Sequence, residues 1–306
     1  MDIIFFANGE FALNSLKILL KSKHTILNVI TNEDKISGRG KQYNPTRIAV
    51  FATKNNINVT KINDINDLSH VNYLKSLKAE IFIIISYKIL SETIYSIPKL
   101  GSINIHASLL PDYRGAAPIQ RSIMNGENTL GLTSFKLNNT IDTGDIINQK
   151  SVIIDDTTTY GEAHDLLANL SGKFLLDTLK KIENNASLMK QTTANRNYAA
   201  KITKDELKIS LNNKSKIVHN KIRALTPKPG AYLLFNNKRV KIYNSYYEND
   251  NKYKLNIGHF IIKNRILFIG CKIGNITCES LQFEGRKKIS IKDFSNMNYS
   301  PKIFFE

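Results

Sequence analysis

Ile81-Phe82-Ile83-Ile84-Ile85 decides the architecture, because every side chain in it is apolar. A strand with one wet face alternates apolar and polar residues. An unbroken apolar run this short therefore reads as a strand covered on both faces, as in a parallel sheet. Upstream, residues 3–6 form another short apolar run. Residues 11–20 carry Leu13, Leu16, Leu19 and Leu20 at helical spacing, and Thr25–Thr31 and residues 57–62 read as further strands. Downstream, Ser102–His106 follows as the next strand. This alternation predicts an α/β domain with a mostly parallel sheet. Such sheets gather ligands beyond the carboxyl ends of their strands, where His106 and the loop after Ile85 would lie.

The C-terminal part reads differently. A long helix over residues 160–182 opens on a capping box, Thr159 with Glu162, and residues 183–200 have no clear period and read as a connector. A short basic helix over 215–225 is stopped by Thr226-Pro227-Lys228-Pro229-Gly230. Short strands follow at 231–235, 239–246, 265–269 and Asn275–Phe283, which suggests a small barrel of the OB type. The expected division is a first domain over 1–184, a connector over 185–203 and a C-terminal domain over 204–306, in keeping with a length too great for one core.

Charge follows the same division. Residues 201–306 hold 21 Lys and Arg against 8 Asp and Glu, whereas residues 1–200 hold 22 against 18. A compositional drift toward lysine would enrich both parts alike. The basic last third is the footprint of a polyanion-binding module. A hydrophobic content of 42% excludes a disordered chain, and no apolar run approaches the length of a spanning helix. Met1-Asp2 leads straight into an apolar strand without a basic leader, and Cys271 and Cys278 lack histidines in metal spacing. A cytoplasmic chain with reduced thiols and no membrane partner is expected.

The chemistry concentrates in Asn104-Ile105-His106-Ala107-Ser108-Leu109-Leu110-Pro111, continued by Arg114-Gly115-Ala116-Ala117-Pro118-Ile119-Gln120. Residues i and i+2 of a strand share a face, so Asn104 and His106 project together. An amide beside an imidazole suits chemistry at a carbonyl, with the amide stabilising an oxyanion and the imidazole moving a proton. Ile141-Asp142-Thr143-Gly144-Asp145 supplies a carboxylate on a glycine-containing loop, which could orient that imidazole.

Taken together, the Asn-x-His-x-Ser-Leu-Leu-Pro run, the Arg-Gly and the distant Asp-Thr-Gly-Asp resemble the folate-dependent formyltransferases. The resemblance implies a Rossmann-like catalytic domain with helices on both faces of its sheet. It implies Asn104, His106 and Asp142 as the catalytic set. It also places the folate against Ile84-Ile85-Ser86-Tyr87, Ser108-Leu109-Leu110-Pro111 and the segment 138–145. The implied co-substrate is 10-formyltetrahydrofolate, with no tightly bound cofactor and no metal.

Members act on glycinamide ribonucleotide, amino sugars or methionyl-tRNA, and three features resemble the branch acting on initiator methionyl-tRNA. They are Arg114 to Gln120, the loop 31–47 with Ser37-Gly38-Arg39-Gly40-Lys41, and Lys221-Ile222-Arg223-Ala224 through Pro229-Gly230-Ala231-Tyr232. The implied tRNA contacts are Arg39, Lys41, Lys221 and Arg223, on a chain expected to act as a monomer. One departure stands out. Where that branch turns through Ala-Gly-Thr-Pro, this chain has Ala7-Asn8-Gly9-Glu10.

Overall fold

The computed structural model describes residues 1–37, 42–192, 197–296 and 304–306. They form two compact units: Met1–Gly115 with Leu130–Val152 and His164–Tyr198, and Ala116–Thr129 with Ile153–Ala163 and Ala199–Glu306.

The first unit is built on a seven-stranded sheet. In chain order its strands are β1 (Asp2–Ala7), β2 (Thr25–Thr31), β3 (Val59–Lys61), β4 (Ile81–Ile85), β5 (Ser102–His106), β6 (Thr129–Lys136) and β7 (Ile146–Ile153). Across the sheet the order is β7-β6-β5-β4-β1-β2-β3. Pairing is parallel from β5 to β3, and β6 runs antiparallel against β5. All of β4 is buried, as its unbroken apolar run predicts. Alternate residues Ile4, Phe6, Phe82 and Ile84 point to one face, where they meet Val71 and Leu74 of the helix Leu68–Ser76. The chain leaves β1 toward β2 and β3 and then returns to the other flank of β1 with β4. That reversal opens a crevice at the carboxyl ends of β1 and β4, bridged by a bond from the Asn8 N–H to the Ser86 carbonyl at 3.2 Å.

Several elements differ from the sequence expectation by a residue or two. The helix expected at 11–20 runs over Leu13–Leu20 behind a 3₁₀ turn at Glu10–Ala12. The capped helix is Tyr160–Glu183, with the Thr159 N–H donating to Glu162 Oε2 at 2.8 Å. A larger difference concerns the expected connector. Met189 exchanges both backbone bonds with Ile146 of β7, at 2.8 and 2.9 Å, so this stretch is docked on the first unit.

The second unit contains the OB-like barrel sheet: β8 (Tyr232–Phe235), β9 (Lys238–Glu248), β10 (Phe260–Lys263), β11 (Ile266–Gly270), β12 (Asn275–Phe283) and β13 (Ile289–Ser290). Its order is β8-β9-β12-β11-β10, with β13 on β12. Leu233, Val240, Ile242, Leu267, Ile269 and Leu281 face one core, joined by Val218 and Ile222 of the helix Ser215–Ala224. Cys271 and Cys278 are free and buried there, and burial pushes their thiols up to about 11 and about 12.

Candidate active site

β5 delivers Asn104 half-buried and His106 only 8% exposed, two residues apart on one face. His106 Nε2 lies 2.8 Å from the Tyr113 carbonyl. A carbonyl only accepts, so Nε2 carries the ring proton and the neutral ring leaves Nδ1 with its lone pair. That Nδ1 faces Asp142 Oδ2 at 3.7 Å, too far for a direct hydrogen bond and near enough for an ion pair. The sequence expected Asp142 to hold the ring. In the structure the Tyr113 backbone holds it, from a residue at φ +59°. Asp142 is the charge that a proton arriving at Nδ1 would meet. Among the described residues the Asn104 amide has no protein partner, which leaves its donor for a ligand.

Asp142 is held firmly. It sits at φ +54°, and its Oδ2 accepts from the Gly115 N–H at 2.9 Å. A side chain on Gly144 would place its Cβ 1.6 Å from the Lys136 carbonyl, so only glycine closes this loop. Gln191 Nε2 then donates to the carbonyls of Asp142 (3.0 Å) and Gly144 (2.8 Å). Gln191 Oε1 accepts from Arg114 Nε and Nη2 at 3.1 and 2.7 Å. Arg114 of the Arg-Gly motif is thereby wired to the carboxylate loop through a glutamine that sequence reasoning missed. Gln191 lies in an aperiodic Asn/Thr-rich stretch and carries no local signal.

The expected folate segments divide by accessibility. Ser108 is buried, with its hydroxyl donated to the Asp112 carbonyl at 2.7 Å, and Leu110 packs with Phe135 and Ile146. Leu109 and Pro111 stay half-exposed. Thr133 locks this turn. Its hydroxyl donates to the Ser108 carbonyl at 2.7 Å and accepts from the Leu110 N–H at 3.0 Å and from Gln149 Nε2 at 3.0 Å. Neither Thr133 nor Gln149 was legible as a site residue. Ile84 and Ile85 lie inside the sheet, so their side chains are structural. Ser86 is exposed at φ +54°, and the half-buried Tyr87 has a buried hydroxyl that lacks a partner among the described residues, pushed up to about 12 by burial.

Of the expected tRNA contacts, Arg39 and Lys41 fall outside the described residues. Arg223 is 2% exposed and bonds Asn220 Oδ1 at 3.0 Å and the Thr158 carbonyl at 3.0 Å. A buried, bonded guanidinium is an architectural tie and not a phosphate contact. The expectation for Arg223 is corrected accordingly. Lys221 is half-buried, with Nζ bonded to the Lys208 carbonyl at 2.7 Å, and burial pulls its ammonium below the usual lysine range.

A family model described as formyl transferase matches residues 1–179, and a formyl transferase C-terminal domain model matches residues 201–299. The methionyl-tRNA formyltransferase of Syntrophomonas wolfei subsp. wolfei is 37% identical over 248 residues, 80% of this chain and 79% of its own. That of Caldicellulosiruptor saccharolyticus is 36% identical over 301 residues, 97% of this chain and 96% of its own. Among solved structures, methionyl-tRNA formyltransferase from Clostridium thermocellum matches with a TM-score of 0.58 at 16% identity, covering 95% of this chain and 99% of that one. WlaRD, a sugar 3N-formyl transferase studied with dTDP and 5-N-formyl-THF, matches with a TM-score of 0.68 at 24% identity, covering 94% and 99%. At these identities the two structures establish the fold alone. The identities of one third and more along nearly the whole sequence go further: the chain is an enzyme that belongs to the methionyl-tRNA formyltransferase family of folate-dependent formyltransferases.

Proposed function

We propose that this chain transfers the formyl group of 10-formyltetrahydrofolate to the free amino group of initiator methionyl-tRNA, giving N-formylmethionyl-tRNA for translation initiation. The observation that carries the chemistry is the Asn104 amide, unbonded among the described residues, on the strand face it shares with His106, whose Nδ1 faces the Asp142 carboxylate at 3.7 Å. The neutral amine attacks the formyl carbon and forms a C–N bond. The carbonyl oxygen becomes an oxyanion that the Asn104 amide stabilises. The attacking nitrogen sheds a proton toward His106 Nδ1, and the resulting imidazolium is stabilised by Asp142. The bond from the formyl carbon to N10 of the folate then breaks, and N10 takes up a proton, so atoms and charge balance.

The fit of the folate segments supports the donor. Ser86, Leu109 and Pro111 keep accessible surface around the sheet ends, and among the described residues the buried Tyr87 hydroxyl has no partner. The acceptor is supported by the relatives' activity and by the excess of basic residues over 201–306. We assign catalysis to 1–184, connection to 185–203 and tRNA binding to 204–306, with Arg39 and Lys41 as further contacts to tRNA. We place the enzyme in the cytoplasm as a monomer. Among the described residues no helix is long and apolar enough to cross a membrane.

The test is formylation with 10-formyltetrahydrofolate of two acceptors in parallel, initiator methionyl-tRNA and a nucleotide-linked amino sugar. Formyl transfer to the tRNA alone is expected. Transfer to the sugar alone would overturn the proposed acceptor while leaving the chemistry standing.

A further inference from the structure

The turn after β5 sits on a row of β6 side chains. In the antiparallel register His106 stands opposite Thr133, and Asn104 stands opposite Phe135. Residues directly opposite one another share a face, so Asn104 and His106 lie on the same side of the sheet as Gly131, Thr133 and Phe135. The chain beyond His106 folds back over that row, and each of the three residues takes one part of it. Gly131 takes the Leu109 side chain. A Cβ at position 131 would run into Leu109 Cδ2 and stand 2.6 Å from the Lys150 carbonyl, so only glycine leaves the room. Phe135 takes the Leu110 side chain. Thr133, fully buried, takes the backbone between them. Its one hydroxyl proton goes to the Ser108 carbonyl at 2.7 Å, and it accepts from the Leu110 N–H and from Gln149 Nε2, both at 3.0 Å. The other Nε2 proton of Gln149 goes to the Leu110 carbonyl at 2.8 Å. Leu109, between two pinned residues, keeps a half-exposed side chain.

We infer that Gly131, Thr133 and Gln149 are positioning residues that set the place of the formyl donor against His106, by seating the turn 108–111 on the strand that stands opposite the imidazole. The inference rests on the reading of that turn as a folate contact. Thr133 is buried and spends its hydroxyl on the turn and on Gln149, so it acts through them and touches no substrate. A turn pinned at three backbone groups has little freedom left to lose when a ligand packs on it. It also shares its anchor with His106, because the residue that pins it is the cross-strand partner of the imidazole. A misplacement of about 1 Å at the formyl carbon is enough to cost turnover heavily, which gives such a seat its leverage.

The full-length chain carrying Thr133→Val, Thr133→Ser or Gln149→Leu tests this by titration with 10-formyltetrahydrofolate and by steady-state kinetics. Thr133→Val removes the hydroxyl at nearly constant volume and leaves the Ser108 carbonyl and the Leu110 N–H unpaired. It is expected to weaken 10-formyltetrahydrofolate about tenfold without acceptor present, and to lower kcat about tenfold with both substrates saturating. The KM for methionyl-tRNA should stay within about twofold. Thr133→Ser keeps the hydroxyl and should restore both. Gln149→Leu frees the Leu110 carbonyl at a half-buried position and should show the same pattern at about threefold. It carries the test alone if Thr133→Val does not fold. Hydrogen exchange of the Leu110 amide, about tenfold faster in Thr133→Val and as wild type in Thr133→Ser, reads the seat without ligand. Folded variants with wild-type folate affinity and kcat would overturn the inference, because a purely structural role lowers only the unfolding midpoint. A Thr133→Ser enzyme as impaired as Thr133→Val, or losses confined to the tRNA KM, would overturn it too. A wild-type chain that binds no 10-formyltetrahydrofolate would remove the donor reading and the inference with it, whereas wild type and variants that bind it alike would overturn the inference alone.

Discussion

Two buried histidines stand in this chain under nearly the same outward conditions and do different things. His219, in the second unit, is 2% exposed, with Nδ1 at 2.9 Å from Ser245 Oγ and Nε2 at 2.6 Å from the Asp156 carbonyl. His106, in the first unit, is 8% exposed, with Nε2 at 2.8 Å from the Tyr113 carbonyl. Burial and one good bond to a carbonyl are common to both. The second nitrogen separates them. In His219 it meets a hydroxyl that can donate or accept, so the neutral ring is fully satisfied. In His106 it meets a carboxylate beyond bonding distance, on the face it shares with an amide that has no partner among the described residues. A histidine whose second nitrogen is left unbonded, with a charge waiting for the proton, is built to exchange one.

The largest effect follows directly. His106→Ala should lower kcat by about a hundredfold or more, the usual contribution of a positioned acid or base, with tRNA binding and thermal stability nearly unchanged. His219→Ala should do the reverse. It strips partners from Ser245 and the Asp156 carbonyl and should cost roughly 2–4 kcal/mol in urea unfolding, with turnover per folded molecule near wild type. A His219→Ala enzyme of normal stability and poor turnover would break the contrast.

The partners of His106 come next. Asn104→Ala removes the oxyanion donor and should cost about 3 kcal/mol in activation free energy, read from kcat with saturating substrates. Asp142→Asn keeps an acceptor for the Gly115 N–H and removes only the charge facing Nδ1. Its kcat should fall while folate binding, followed by fluorescence titration, holds. If both variants bound folate poorly and turned over normally at saturation, the two residues would be ligands of the folate and not parts of the reaction.

A smaller effect is expected at Gln191, which touches no reacting atom. Gln191→Leu frees the Asp142 loop and strands Arg114, and should lower kcat roughly tenfold by misplacing the carboxylate. Gln191→Glu keeps an acceptor for Arg114 but loses both donors to the loop carbonyls, so it should stay impaired. Full activity in Gln191→Glu would show that Arg114, and not the Asp142 loop, is what Gln191 serves.

The course of legibility in the sequence runs along the same contrast. β4, β5 and the pairing of Asn104 with His106 were readable because burial on both faces and a two-residue period leave local marks in composition. The basic bias of the last third was readable as a count. Asp142 was legible only as a candidate carboxylate on a glycine-containing loop, and the family pattern gave it its role. Tyr113, Thr133, Gln149 and Gln191 were beyond reading. Tyr113 acts through a carbonyl that every residue has, and the others act through chain separations of 16 to 77 residues that no window spans. Arg223 was misread because a resemblance along a helix says nothing of which face is buried. Arg223 faces inward, and its charge is satisfied by the Asn220 side chain and the carbonyls of Asp155 and Thr158.

The smallest effect is a pH dependence, and it tests the resting state of His219. Burial is the chief cause holding its pKa below the ordinary 6.5, helped by the nearby charges of Arg223 and Lys216 and opposed by the Asp156 carbonyl and carboxylate. The unfolded chain therefore binds a proton as pH falls through 6.5 while the folded chain does not. Stability rises with pH wherever the unfolded state holds more protons, so His219 contributes stability that is complete above 6.5 and is lost below it, down to the folded pKa. The loss cannot exceed about 1.4 kcal/mol per pH unit for one group. Urea unfolding between pH 7 and 5.5 should show a falling midpoint in wild type and a flatter course in His219→Gln, which keeps a polar side chain that does not titrate. The difference between the two slopes isolates His219 from the carboxylates, which act mostly at lower pH. Parallel slopes would mean that His219 is charged in the fold. The two histidines would then no longer differ in the way their second nitrogens suggest, and His106 would need another ground for its role.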